Sequence, residues 1–133
     1  MPLYVLDTDI CSYVIKNRPP AVRERMNAIP LESQAISVIS YAELLYGVRR
    51  SSSPRVNRPI VVAFVSHLTV LTWEVEAAEH YADLRVHLEA RGTPIGSMDL
   101  MIAAHARSVR AVLVTNNLRH FEKVPGLKVV NWL

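Results

Sequence analysis

Four apolar residues in succession, Leu3-Tyr4-Val5-Leu6, run directly into an acid, Asp7. A strand with one wet face alternates apolar and polar residues, whereas an unbroken apolar run reads as a strand covered on both faces. Such strands belong to parallel sheets held between helices, because parallel neighbours require long crossover connections. The run therefore predicts an α/β domain and sets Asp7 at the carboxyl end of a central strand.

The rest of the chain repeats the alternation of strand and helix. Thr8 or Asp9 can cap a helix carrying Ile10, Tyr13 and Val14, which Pro19-Pro20 stops before a second helix over about 21–28. Residues 34–39 read as a second strand. Ser40 then opens a helix with Leu44, Leu45 and Val48 on its apolar side and Glu43 in its first turn. The basic, turn-rich segment 49–55 is expected to be a mobile loop leading to a helix over about 56–67. A short strand at 69–72 precedes a long helix at 74–90, which Gly92 ends. Ser97 begins another helix, 111–115 reads as a strand, 117–122 as a helical turn, and 127–130 as a last strand. The expected fold is a single three-layer sandwich around a mainly parallel sheet of about five strands.

Composition agrees with one domain. At 133 residues the chain is shorter than the length at which single cores usually divide. Half of its residues are apolar and 20% are charged, which supports a packed core over extended disorder. No apolar stretch approaches the roughly 20 residues of a membrane helix, and no basic segment of a secretory signal precedes Leu3. The one cysteine, Cys11, cannot form an internal disulfide, and its apolar neighbours suggest a buried thiol and a cytoplasmic setting. The net charge of +3 gains meaning from the acids. With three of the twelve committed to a metal, nine oppose fifteen Lys and Arg, and the remaining surface is near +6, suited to a polyanion.

Ligands of open parallel sheets gather beyond the strand carboxyl ends where strand order reverses. Asp7, Glu43 and Asp99 are expected to converge there, with Thr115, Asn116 and Asn117 past another strand. Three carboxylates together repel one another, and a divalent cation such as Mg²⁺, which prefers hard oxygen ligands, offsets that repulsion. Ordinary readings compete. Ser40-Tyr41-Ala42-Glu43 matches a capping box, and Asp99 could complement a helix dipole. Asp7 is harder to explain this way, since a carboxylate at the end of an apolar strand needs a cap, a charge partner or a metal. Glu76, His80, Asp83 and His87 share a helical face, but the histidines stand seven apart and fit a solvated face better than zinc. His105 and His120 are isolated along the sequence.

Four ordered segments carry a resemblance. They are Leu6-Asp7-Thr8-Asp9-Ile10, the stretch 36–47 around Tyr41-Ala42-Glu43-Leu44, the stretch 94–106 around Ser97-Met98-Asp99-Leu100, and Val114-Thr115-Asn116-Asn117. In these and their spacing the chain resembles the VapC toxins of bacterial toxin–antitoxin pairs, which are PIN-domain ribonucleases. The resemblance implies an endoribonuclease that uses Mg²⁺, with Mn²⁺ able to substitute, and takes structured RNA such as tRNA, thereby inhibiting translation. It implies a metal site of Asp7, Glu43 and Asp99, with Thr115 and Asn117 at its edge. It also implies a homodimer and a cognate VapB-type antitoxin. Many relatives carry a fourth acid where this chain has Asn117. Arg49, Arg50, Arg55 and Arg58 are candidate phosphate contacts.

Two rivals use the same acids. A haloacid-dehalogenase-like phosphatase would employ Asp7 and Asp9 as nucleophile and general acid, leaving Glu43 without a role. A receiver-like signalling module would want a lysine after the final strand, and Lys128 instead precedes Val129.

Overall fold

The structure, a computed structural model, describes residues 2–133. Its strands are β1 (Tyr4–Leu6), β2 (Gln34–Ser37), β3 (Thr69–Leu71), β4 (Val112–Val114) and β5 (Lys128–Val130). They form one sheet in the order β3-β2-β1-β4-β5, and every neighbouring pair is parallel. The helices are α1 (Thr8–Lys16), α2 (Pro20–Asn27), α3 (Val38–Arg50), α4 (Pro54–Ser66), α5 (Val75–Ala90), α6 (Ser97–Ser108) and α7 (Leu118–Phe121).

Strand pleat assigns side chains to two cores. Val5 pairs with Leu113, and both pack with Leu84, Leu88, Leu100 and Ala103 of α5 and α6. The next pair, Leu6 and Val114, points the other way and packs with Ile10, Val14, Val22, Leu44 and Val61 from α1 to α4. Each fully buried Val, Leu or Ile contributes roughly 1.5–3 kcal/mol of transfer free energy. Both faces of β1 collect it, which is why the strand carries no polar residue until Asp7.

From β1 the chain builds outward through β2 and β3, then crosses to place β4 on the opposite side of β1. Strand order thus reverses between β1 and β4, and Asp7 and Thr115 follow directly on these two strands.

Several local expectations are corrected. Asp7 itself caps α1, its Oδ1 accepting the Ile10 backbone N–H at 2.8 Å, so Thr8 and Asp9 form the first helical turn. That helix stops at Asn17, before the prolines. Asn17 adopts a left-handed conformation (φ 54°) and its N–H returns to Tyr13 and Val14, a role asparagine tolerates. β2 ends at Ser37 rather than at 39, since its last neighbour is Leu71 at the end of β3. Ser37 caps α3, so Ser40 lies buried inside the helix and Glu43 falls in its second turn. The capping-box reading of Ser40 and Glu43 is therefore excluded.

The expected loop at 49–55 is also much shorter. Arg49 and Arg50 belong to α3, Pro54 and Arg55 to α4, and only residues 51–53 connect them. Ser51 bonds the Val48 carbonyl at 2.6 Å and accepts from Asn57 at 3.0 Å, tying the link to both helices. On α5, Arg107 of α6 donates to His80 at 2.8 Å and to Asp83 at 2.7 Å, so half of the expected solvated face clamps two helices together. Among the described residues no helix is long and apolar enough to cross a membrane.

Candidate active site

Asp7 is the most constrained acid of the chain, only 5% exposed. Burial pushes its carboxyl up to about 6 from 3.8. Hydrogen bonds from the Thr115 hydroxyl and the Ile10 N–H oppose the rise, and the charges of Asp9 and Asp99 add to it. An anion this well hydrogen-bonded ordinarily titrates low. Here desolvation outweighs those bonds, and the acidic neighbours add to it.

Asp99 stands in the first turn of α6 and is half-buried. Burial raises its carboxyl as well, the nearby His120 lowers it, and Asp9 raises it. His120 Nε2 lies 3.2 Å from Asp99 Oδ2. Sequence spacing holds no hint of this pairing, because His120 arrives on α7, twenty-one residues later, through the β4 crossover. Asp9, exposed on α1, acts on both Asp7 and Asp99 and so completes an acidic group.

Glu43 is held differently. The Thr8 hydroxyl meets Glu43 Oε1 at 2.5 Å, and Thr8 Oγ1 is also 3.1 Å from the Oγ of buried Ser40. The sequence marks neither Thr8 nor Ser40 as part of the site, since each reads locally as a helix cap. Thr8 and Glu43 stand together on the wall of a groove of about 490 Å³ between α1, α3 and α4, which also includes Lys16, Asn57 and Ile60.

On the opposite side, Thr115 is fully buried, and its Oγ1 accepts the Asn117 N–H at 3.0 Å. Asn117 Oδ1 accepts the His120 N–H at 3.3 Å and so caps the helix that carries His120. Asn116 turns elsewhere: its amide donates to the Tyr13 hydroxyl at 3.1 Å and accepts from Asn131 at 3.4 Å. The four candidate arginines are exposed and absent from the groove walls, where Lys16 is the cation. Arg50 instead lies over the Tyr46 ring, 5.7 Å from its centre.

Among the described residues, no three His, Cys, Asp or Glu side chains come close enough to enclose a metal ion by themselves. The donor set nevertheless suits one kind of ion. Its groups are carboxylate and hydroxyl oxygens, without thiolate, since the neighbouring Cys11 is buried and its pKa is pushed far upward. Mg²⁺ takes a few carboxylates and completes its shell with water and substrate phosphate, so an open oxygen site fits it.

The rival chemistries fit less well. Asp7 as a phosphatase nucleophile would have to attack from a buried carboxylate already engaged by Ile10 and Thr115. Lys128 opens β5, level with Tyr4 at the amino end of the parallel strands and so at the other end of the sheet from Asp7, and cannot serve a receiver-like pocket.

Comparisons with known proteins point one way. Residues 4–127 match the PIN domain. A tRNA(fMet)-specific endonuclease VapC from Salmonella typhimurium is 43% identical over 129 residues, 97% of either chain. Ribonuclease VapC2 from Haemophilus influenzae is 42% identical over 130 residues, 98% of either chain. Among solved structures, DNA-bound VapBC from Salmonella typhimurium superposes with a TM-score of 0.94 at 43% identity, covering 100% of both chains. VapBC2 from Rickettsia felis, bound to a DNA fragment from the VapBC2 promoter, gives 0.92 at 36% identity over 98% of this chain and 99% of that one.

Proposed function

The chain belongs to the PIN-domain family and, within it, to the VapC ribonucleases, and from that membership we propose that it is a Mg²⁺-dependent endoribonuclease that cleaves tRNA. It is the toxin half of a toxin–antitoxin pair, and a VapB-type antitoxin is its partner. The observation that carries the site assignment is the state of Asp7: a buried carboxyl raised to about 6, flanked by two further acids and by oxygen donors. Such a group gains most from a cation.

Asp7 and Asp99 would hold the ion, with Mn²⁺ able to replace Mg²⁺. When bound, the cation supplies positive charge that screens the phosphodiester and makes water easier to deprotonate. The chain's own residues do the rest. Thr115 and the Ile10 N–H fix the orientation of Asp7. His120 does the same for Asp99, and Asn117 fixes the helix that carries His120. Glu43 is a fixed acceptor at the groove wall, able to take a proton from water or to add an oxygen ligand. Ordering these groups before substrate arrives lowers the cost of assembling the transition state.

The test is cleavage itself. Purified protein incubated with tRNA should produce discrete new ends with Mg²⁺ and none with EDTA. Asp7→Asn should abolish them while its circular dichroism spectrum stays unchanged. Full cleavage by that variant would refute the assigned chemistry.

A further inference from the structure

Glu43 sits in a chain of hydroxyls that spans two helices. Thr8 has one proton to donate, and the close partner at 2.5 Å is the Glu43 carboxylate, which can only accept. The 3.1 Å contact between Thr8 Oγ1 and Ser40 Oγ must then run the other way, with the Ser40 hydroxyl donating to Thr8. The order is Ser40 to Thr8 to Glu43, and every proton is accounted for. Ser40 is fully buried in α3 and so anchors the series. It also crosses helices, because Thr8 lies in the first turn of α1, immediately after Asp7, while Ser40 and Glu43 lie on α3.

The consequence is geometric. Glu side chains have three rotatable torsions, and an exposed one near a groove would sample many positions. Here one carboxylate oxygen is occupied by a short, charge-assisted bond from a β-branched residue with little freedom of its own. The same residue is covalently joined to Asp7. We infer that Thr8 is the positioning residue of the site: its hydroxyl holds Glu43 Oε1 and leaves Oε2 as the oxygen presented to water or cation at the groove wall. This assignment rests on the ribonuclease reading above and deepens it, dividing the acids into a metal-holding group around Asp7 and a single oriented acceptor, Glu43.

The experiment compares Thr8→Val, which keeps shape but removes the hydroxyl, with Thr8→Ser, which keeps the hydroxyl. Thr8→Ala replaces the valine variant if that does not fold. Cleavage of tRNA is measured at saturating Mg²⁺. Thr8→Val is expected to lower kcat by roughly 10–100-fold with KM changed less than about twofold, and Thr8→Ser to stay within about threefold of wild type. A folded Thr8→Val with wild-type kcat overturns the assignment. So does an equal loss in Thr8→Ser, which would mean the position tolerates no change rather than needing its hydroxyl.

A second arm uses metal-free protein and no RNA. Thermal unfolding of Thr8→Val, Glu43→Ala and the double variant forms a cycle in which the two losses should be non-additive. Additive losses overturn the bond. Coupling without any Mg²⁺-dependent cleavage by wild type would sink the ribonuclease reading while leaving the Thr8–Glu43 bond in place.

Discussion

His105 Nδ1 and Ser37 Oγ lie 2.7 Å apart in a buried seam, joining α6, which carries Asp99, to the start of α3, which carries Glu43. Ser37 Oγ also accepts the Ile39 N–H at 3.0 Å, which fixes the serine in place at the start of α3. The ring also bonds the Thr72 backbone, so the imidazole is held from two elements at once. Burial lowers the pKa of this histidine below 6.5, with the Thr72 bond and the Glu74 charge opposing the shift.

His105→Ala should consequently destabilise the fold by about 2–4 kcal/mol, from the cavity and the unpaired serine together. It should also reduce cleavage, because the two helices lose their register. The pH dependence has a definite sign. A base whose folded value is depressed contributes stability that is present above 6.5 and lost as pH falls toward the folded value. Urea midpoints between pH 7.5 and 5.5 should fall less in His105→Ala than in wild type. Parallel curves would show that His105 is not the group responsible.

Asp7 has the opposite sign. An acid raised in the fold contributes stability that is full below 3.8 and lost as pH rises through about 6. At pH 7.5 the metal-free protein carries this cost, on the order of 2–3 kcal/mol. Asp7→Asn, which keeps the helix cap, should therefore raise the metal-free melting temperature at pH 7.5 and change it little at pH 4. Millimolar Mg²⁺ should raise the wild-type value and leave the variant unmoved. A variant less stable than wild type at pH 7.5 would contradict the burial argument.

Arg49, Arg50, Arg55 and Arg58 lie on the two sides of the α3–α4 link, the first pair roughly 10 Å along the α3 axis from Glu43. If they reach phosphates, charge reversal should weaken tRNA binding and reduce the log–log salt slope by about one for each phosphate no longer engaged. Binding isotherms from 50 to 300 mM salt would measure it. An unchanged slope would remove these residues from the RNA surface and leave Lys16, on the groove wall, as the cation to test.

The layers of this protein follow from the order of its amino acids without reference to any long-range contact. Leu3 to Leu6, the β-rich run before Thr115 and the helical periods between them are local patterns, and local patterns report which face of an element must be covered. They also place Asp7 and Thr115 beyond strand ends, since a strand's end is a property of its own residues. What those residues meet is settled by the folded arrangement. His120 reaches Asp99, Thr8 reaches Glu43, and Ser37 reaches His105 across 21, 35 and 68 positions. Nothing in a periodic pattern encodes such pairs, because side-chain bonds at that separation exist only after the sheet has set which helix lies beside which. The boundary of β2 belongs with them: 34–39 looks like uniform strand, and only the short neighbouring strands and the Ser37 cap end it at residue 37.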